Sequence, residues 1–568
     1  MKEVGELAKP RKFALVSVFL LAIVFALVYW GISLTSNLGK TKAELSSENA
    51  EKRLSRLFSD LSVSSAEPVK GQIDLDPADV AEALPDISKF PVTVDNTTGF
   101  YVEIFSSTEK SGSGVDGWLT EVAAEFNRAG IEVNGQAASV KVRNIASGTA
   151  TDYIASGKYI PDAFTPSNEL WGEMVKASGV RTELVAKRLA GNVPGIVIAK
   201  AKYDALVEKY GAVNVKTVTE AIAGNEFAMG YTDPFASSTG LNFLLTALDS
   251  FDSSNLLGEK AVAGFEKFQA NVPFIASTTI QMRDAAKSGM LDGFVLEYQT
   301  YINAADLKGG YVFTPFGVRH DSPLYALGDL PPEKVELIKR FADFVQQEQY
   351  QQAAEKLGFN GLEEYTPELA VPDGALLSAA QKLWKEKKNA GKPIVAVFVA
   401  DVSGSMDGEP LNRLKESLLK GQKYLGRDNS IGFVSYSSDV TIHLPIGKYD
   451  TNQQSMFVGA VNSLQSGGGT ATFDGIVVAL KMLQDELRVN PNGKPVIFVL
   501  SDGETNEGYS LNDVKDLVEA YKVPIYTIGY NANIKALQSI SGINEAASIN
   551  ADTDDVVYKI GNLFNVQM

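Results

Sequence analysis

Cysteine is absent from the 568 residues, and histidine occurs only twice, as His320 and His443. No disulfide can form, so stability has to come from core packing. A zinc centre of cysteine and histidine is disfavoured on composition, and neither histidine sits in a recognisable zinc or catalytic-triad setting. Concentrated basic charge is missing too: 52 Lys and Arg against 69 Asp and Glu give a net charge of −17, spread along the chain rather than in blocks. Nucleic acid, whose phosphates call for clustered Lys and Arg, is not an expected partner. The length suffices for more than one buried core.

Charge is also absent from Phe13 to Leu34, a run long enough to cross a bilayer as one helix. Lys2, Lys9, Arg11 and Lys12 precede it, and the flank after it is mixed in sign. That asymmetry predicts a cytoplasmic tail over 1–12, a transmembrane anchor over 13–34 and the rest of the chain outside the cell membrane. A cleaved signal peptide is the alternative; against it, Tyr29 and Trp30 stand where small residues are expected. With no cysteine after the run, a lipid anchor through cysteine is excluded. Residues 35–97 are rich in Ser, Glu, Lys and Asp, with prolines at 68, 77, 85 and 91. They read as a stalk, with a short polar helix over 43–58.

The densest chemistry lies near residue 400. The apolar run Ile394 to Ala400 reads as a buried parallel strand, and Asp401-Val402-Ser403-Gly404-Ser405 leaves its carboxyl end. Alternate residues of an extended segment point the same way, so one carboxylate and two hydroxyls converge there. A hard cation such as Mg²⁺ takes such oxygens in octahedral array. Gly467-Gly468-Gly469-Thr470 adds a hydroxyl, and a second buried strand, Val496 to Leu500, ends at Ser501-Asp502. Turn formation is the ordinary use of such residues in a single loop; three such pieces in order point to a metal site. An aspartyl-nucleophile phosphatase would need a second acid where Ser403 stands, and a serine-hydrolase elbow would need glycine at Asp401.

This ordered set resembles the metal-ion-dependent adhesion site of von Willebrand factor A domains. The resemblance covers roughly the last 175 residues, a usual size for one domain. It implies that Ser403, Ser405 and Thr470 bind a divalent ion directly, that Asp401 and Asp502 hold it directly or through water, and that a partner's carboxylate fills the last position. Mg²⁺ leads, with Mn²⁺ and Ca²⁺ as alternatives.

From Phe100 the pattern alternates: strands over 101–105, 140–145 and 196–198, with a helix over 118–128. Gly112-Ser113-Gly114-Val115-Asp116-Gly117 matches a dinucleotide fingerprint, but the next strand ends without the acid that would take a ribose. Several segments in order instead resemble bacterial extracellular solute-binding proteins of the molybdate and sulfate type. They are Ser106-Ser107-Thr108, Ala146-Ser147-Gly148-Thr149, Tyr231-Thr232-Asp233-Pro234, Gly293 to Tyr298 and the amphipathic stretch Arg340 to Val345. The resemblance implies two α/β lobes closing over a small anionic solute by hinge motion. Ser107, Ser147, Ser167, Ser238 and Tyr298 are the candidate ligand-binding residues, serines at helix starts being natural anion donors as well as ordinary caps.

The expected architecture is therefore one transmembrane helix, a two-lobed periplasmic-binding-protein-like α/β domain over 98–370, a linker helix within 371–392, and a doubly wound, mostly parallel-sheet von Willebrand A (Rossmann-like) domain over 393–568. The expected function is non-catalytic, metal-dependent binding of a protein or surface partner that offers a carboxylate. In this reading the solute-binding module is near the membrane and the metal domain distal. The runner-up is the solute-binding component of an uptake or sensing system, with the metal domain as its dock. A subunit serving a chelatase or an AAA-type motor is disfavoured by the anchor, since those partners need nucleotide inside the cell.

Overall fold

The computed structural model describes residues 42–73, 81, 84–272, 274–276, 282, 291–367, 369–389, 391–503, 505–530, 541, 548–551, 560–561 and 563–564. The run Phe13–Leu34 lies outside them. Among the described residues no helix is long and apolar enough to cross a membrane.

The carboxyl-terminal unit is built on a seven-stranded sheet. Its spatial order is Val63–Ser65, Val440–Lys448, Ser430–Tyr436, Ile394–Asp401, Lys494–Ser501, Ile525–Tyr530 and Ser548–Ala551. Ile394–Asp401 is central and pairs in parallel with both neighbours. Alternation along this strand feeds two cores. Ala396, Phe398 and Ala400 meet Phe433, Phe457, Phe498 and Phe564 on one face, and Val395, Val397 and Val399 meet Ile476, Val477 and Leu480 on the other. The ring of Phe398 stacks on that of Phe498 with centroids 5.1 Å apart. Apart from the antiparallel pairing of Val440–Lys448 with Ser430–Tyr436, the strand pairings are parallel, and a parallel sheet buried on both faces brings its strand ends to one edge, where loops are free to vary.

The segment expected to be a stalk belongs in part to this unit. Residues Lys42–Ser59 form a helix whose Ala50 and Leu54 are buried in the second core, with Leu57, Phe58 and Leu61 packed against it. These positions recur at i, i+4, i+7, i+8 and i+11, the stripe of an amphipathic helix. Arg53 donates to the Asp513 carbonyl at 2.7 Å, and Tyr509 Oη to the Leu57 carbonyl at 3.1 Å. Val63–Ser65 then adds an edge strand parallel to Val440–Lys448. Beyond it the chain crosses the helix Thr451–Ser463 at a glycine contact. The Gly71 N–H donates to the Ser455 carbonyl at 2.8 Å, and a Cβ on Gly459 would lie 2.0 Å from the Val69 carbonyl oxygen. Polar residues dominate 42–73, but the apolar minority is spaced to dock. Over 42–73 the chain thus packs on the carboxyl-terminal unit instead of standing apart as a stalk.

Between these two pieces lie two α/β lobes. The first has the sheet order Val92–Val94, Gln136–Asn144, Phe100–Ser106, Ala163–Thr165, Leu324–Leu327 and Thr182–Ala186. The second has Phe274–Ala276, Met229–Thr232, Gly293–Glu297, Pro194–Ala199 and Tyr311–Pro315. The chain passes between the lobes twice, at 187–193 and 316–323. One apolar cluster is continuous across both, holding Phe105, Phe164 and Trp171 of the first with Ile196, Phe243 and Phe268 of the second. Gly112–Gly117 forms a short turn before the helix Trp118–Arg128.

Candidate functional sites

Asp401 ends the central strand and is fully buried. Its Oδ1 accepts from the Ser403 N–H at 2.8 Å; its Oδ2 accepts from Ser501 Oγ at 2.6 Å and Tyr436 Oη at 3.2 Å. Burial pushes its carboxyl above the usual range, against the hydrogen bonds from Ser403 and Ser501. Both oxygens are spent within the protein, so Asp401 braces the loop from behind.

In front of it, Ser403 Oγ and Ser405 Oγ stand 3.0 Å apart, and Ser405 Oγ donates to Asp502 Oδ1 at 2.9 Å. The glycine loop closes on the same place. The Gly404 N–H donates to the Gly468 carbonyl at 3.0 Å, and the Gly467 N–H to the Val402 carbonyl at 2.8 Å. Gly468 has φ +83°, a conformation that favours glycine. Thr470 follows on that loop and is buried. Its backbone is gripped on both sides: Asn506 Oδ1 accepts from the Thr470 N–H at 2.8 Å, and Thr505 Oγ1 donates to the Thr470 carbonyl at 3.1 Å. Three loops thus meet at one sheet edge. Neighbouring ligands of an octahedral Mg²⁺ stand about 2.9 Å apart, given metal–oxygen distances of about 2.0–2.1 Å. The separations of Ser403, Ser405 and Asp502 fit that spacing.

Tyr436, Ser501, Thr505 and Asn506 were not candidates from sequence. Each acts by holding another residue, and only Ser501, a hydroxyl closing an apolar strand, carried a local signal.

The solute-type candidates meet differently. Ser107 Oγ donates to Glu109 Oε1 at 2.5 Å and accepts from Lys110 Nζ. Ser147 Oγ accepts from the Ser167 N–H at 3.2 Å, and the two hydroxyls are 3.4 Å apart. Ser238 Oγ accepts from Trp171 Nε1 at 2.8 Å. Tyr298 packs with Phe313, ring centroids 5.3 Å apart, at one edge of an aromatic group with Tyr301. All four serines are buried and have partners within the chain.

Sequence reasoning missed the charged groups between the lobes. Lys110 is fully buried, its ammonium 3.0 Å from the Thr165 carbonyl and 3.5 Å from Glu109. From the second lobe, Glu297 accepts from Asn192 Nδ2 at 3.0 Å and lies 2.7 Å from His320 Nδ1. Asn242 takes the Val318 N–H on its Oδ1, which turns its Nδ2 to His320 Nε2 at 3.2 Å. His320 Nε2 is therefore the acceptor and Nδ1 carries the proton toward Glu297. Burial raises the Glu297 carboxyl, and the nearby Glu109 charge adds to the rise. Burial alone would raise Glu109 too, but Lys110 and the hydroxyls of Ser107 and Ser167 outweigh it and hold that carboxyl low. The protein's own Glu109 carboxylate takes the Ser107 and Ser167 hydroxyls. These groups come from segments far apart in sequence, with no local motif to join them.

Asp233, in the second lobe, has a carboxyl that burial pushes up to about 6. A folded-state value above the unfolded one means that stability falls as pH rises between the two. Asp233→Asn, which keeps an acceptor for the Phe235 N–H, is expected to gain roughly 2–3 kcal/mol near pH 7 and almost nothing near pH 4. Urea melts at both pH values check this.

Residues 396–563 match the family model of the von Willebrand factor type A domain, and residues 111–360 that of the bacterial extracellular solute-binding protein. Among curated proteins, inter-alpha-trypsin inhibitor heavy chain H3 of Pongo abelii is 29% identical over 158 residues, 25% of this chain and 18% of that protein. The Bos taurus protein of the same name is 30% identical over 159 residues, 25% of this chain and 17% of that protein. The chain thus spans less than a fifth of the length of these relatives. Among solved structures, a von Willebrand factor type A protein from Catenulispora acidiphila shares 19% identity, covering 31% of this chain and 42% of that one, TM-score 0.28. The sulfate-binding protein SubI from Mycobacterium tuberculosis shares 14%, covering 46% and 88%, TM-score 0.34.

Proposed function

We propose that this chain, whose residues 111–360 and 396–563 match a bacterial extracellular solute-binding model and a von Willebrand factor type A model, is a binding protein whose working site is a divalent-metal centre that captures a carboxylate of a partner. Ser403, Ser405, Thr470 and Asp502 would hold the ion, and Asp401 would position them. The bound ion would supply an electrophilic position, because the two serine hydroxyls and the threonine bring it no charge. No bond-making step is asked of the protein. Phe13–Leu34 would tether the assembly to the membrane, with the described units outside.

One observation carries this reading: the oxygens of Ser403, Ser405 and Asp502 stand at the spacing of adjacent octahedral ligands, with Asp401 locked behind them. Ligand that binds only the folded form must stabilise it. Millimolar Mg²⁺ or Mn²⁺ is therefore expected to raise the melting temperature of the von Willebrand unit, and Asp502→Ala to abolish the rise. An unchanged melt with Mg²⁺, Mn²⁺ and Ca²⁺ would reject the proposal. The uptake alternative has less support, since all four candidate serines already have partners within the chain.

A further inference from the structure

The helix Gly374–Lys387 has two different neighbours at its two ends. Asp373 caps it, Oδ1 accepting from the Leu376 N–H at 2.8 Å. At this end it lies on the helix Glu169–Ala177 of the first lobe. A Cβ on Gly374 would stand 2.2 Å from the Glu173 carbonyl oxygen and 2.6 Å from the Ala177 Cβ. At its other end it holds the second lobe. Gln381 Nε2 donates to the Pro234 carbonyl at 2.8 Å, Trp384 Nε1 to Tyr231 Oη at 2.7 Å, and Lys387 pairs with Glu266 at 2.7 Å. Between the ends, Leu377, Ala380 and Trp384 are buried in the apolar cluster that both lobes share.

The lobes also meet directly beneath it. Trp171 of the first reaches Ser238 of the second, and a Cβ on Gly148 would lie 2.1 Å from the Phe235 carbonyl oxygen. Asn168 Nδ2 is 3.0 Å from His320 Nε2, and Gln299 Nε2 of the second lobe donates to the Val115 carbonyl of the first at 2.9 Å. A hinge-closing pair of lobes has two crossing segments as its covalent connections. Here a third element, outside both hinges, is fastened to each lobe.

We propose that the helix Gly374–Lys387 is an intramolecular strap that keeps the two lobes closed, so that the cleft opens only when one end of the strap lets go. Opening swings the two lobes apart, while a helix of fixed length cannot stretch to follow both. Either the Gly374 end or the Trp384 end must part. The strap leads through 388–393 into Ile394–Asp401, the central strand of the metal-type unit. A released strap is free to shift against that strand, so the opening of the cleft and the setting of the second unit share one element. The inference does not depend on metal binding and stands or falls separately from it.

The lack of cysteine makes the test clean. Glu121→Cys in the first lobe and Glu208→Cys in the second, both exposed, take a pair of spin labels in the full-length chain. Pulsed distance measurement is expected to give one narrow distance in the parent. Gly374→Leu, which loosens the first end, and Trp384→Ala, which loosens the second, are each expected to add a longer-distance population. Lys382→Ala, on the exposed face of the strap, is expected to leave the parent distribution unchanged. If Gly374→Leu fails to fold by near-ultraviolet circular dichroism, Asp373→Ala, which removes only the cap, takes its place. A single unchanged distance in folded variants at both ends overturns the proposal, as does a parent that already populates the long distance.

Discussion

A chain that begins at residue 84 is expected to lose the cooperative melting of its von Willebrand unit and to aggregate, even though every residue of the loops at Asp401, Thr470 and Asp502 is present. The deletion strips a helix and an edge strand from the unit. It uncovers the face that Ala50, Leu54, Leu57, Phe58 and Leu61 close, and leaves Val440–Lys448 as an open sheet edge. Exposed strand edges next to apolar surface are templates for association. Leu54 is completely buried, and Leu54→Ala alone should cost roughly 2–5 kcal/mol. That is a large share of the 5–15 kcal/mol or so that separates folded from unfolded states of most domains. Adding a peptide of residues 42–73 to the shortened chain should restore the transition. A truncated chain that melts as sharply and as high as the full one would show that this segment contributes nothing to the unit.

The second large effect separates bracing from ligation. Asp401→Ala leaves the Ser403 N–H, the Ser501 hydroxyl and the Tyr436 hydroxyl without their common acceptor in a buried place. Each orphaned group costs on the order of 1–3 kcal/mol, so the fold should weaken by several kcal/mol and the response to Mg²⁺ should vanish. Ser405→Ala removes an exposed hydroxyl that joins Ser403 to Asp502, so it should leave the metal-free melt within about 0.5 kcal/mol of the parent and still lower metal affinity. Paired urea melts and metal titrations read both quantities. Equal stability loss in the two variants would contradict the division of roles.

The central strands of the sheet and the loops at its carboxyl edge were legible because each signal is local. Ile394 to Ala400 and Val496 to Leu500 are unbroken apolar runs, and the polar residues that matter follow them within a few positions. The lobes were legible for the same reason at Phe100–Ser106 and Trp118–Arg128. What was not legible arises from long-range pairing. The Glu109–Lys110 pair of the first lobe and the Glu297–His320 pair of the second carry no shared spacing, and only the meeting of two lobes brings the pairs together. At the amino end the polar majority of 42–73 outweighed the helical spacing of its few apolar residues. Val63–Ser65, three residues long, is too short to announce a strand by alternation. The candidate serines of the lobes lie near strand ends and helix starts, yet composition could not tell that Glu109 would claim the hydroxyls of Ser107 and Ser167.

The docking of residues 42–73 also decides how the molecule bears load. Tension entering from the amino end reaches the seven-stranded sheet before either lobe. There it pulls on a helix and a strand keyed into that sheet. The two lobes are spliced in between residue 73 and residue 394, outside that covalent path. A pull between the amino end and the Asp502 edge would therefore bypass the two lobes.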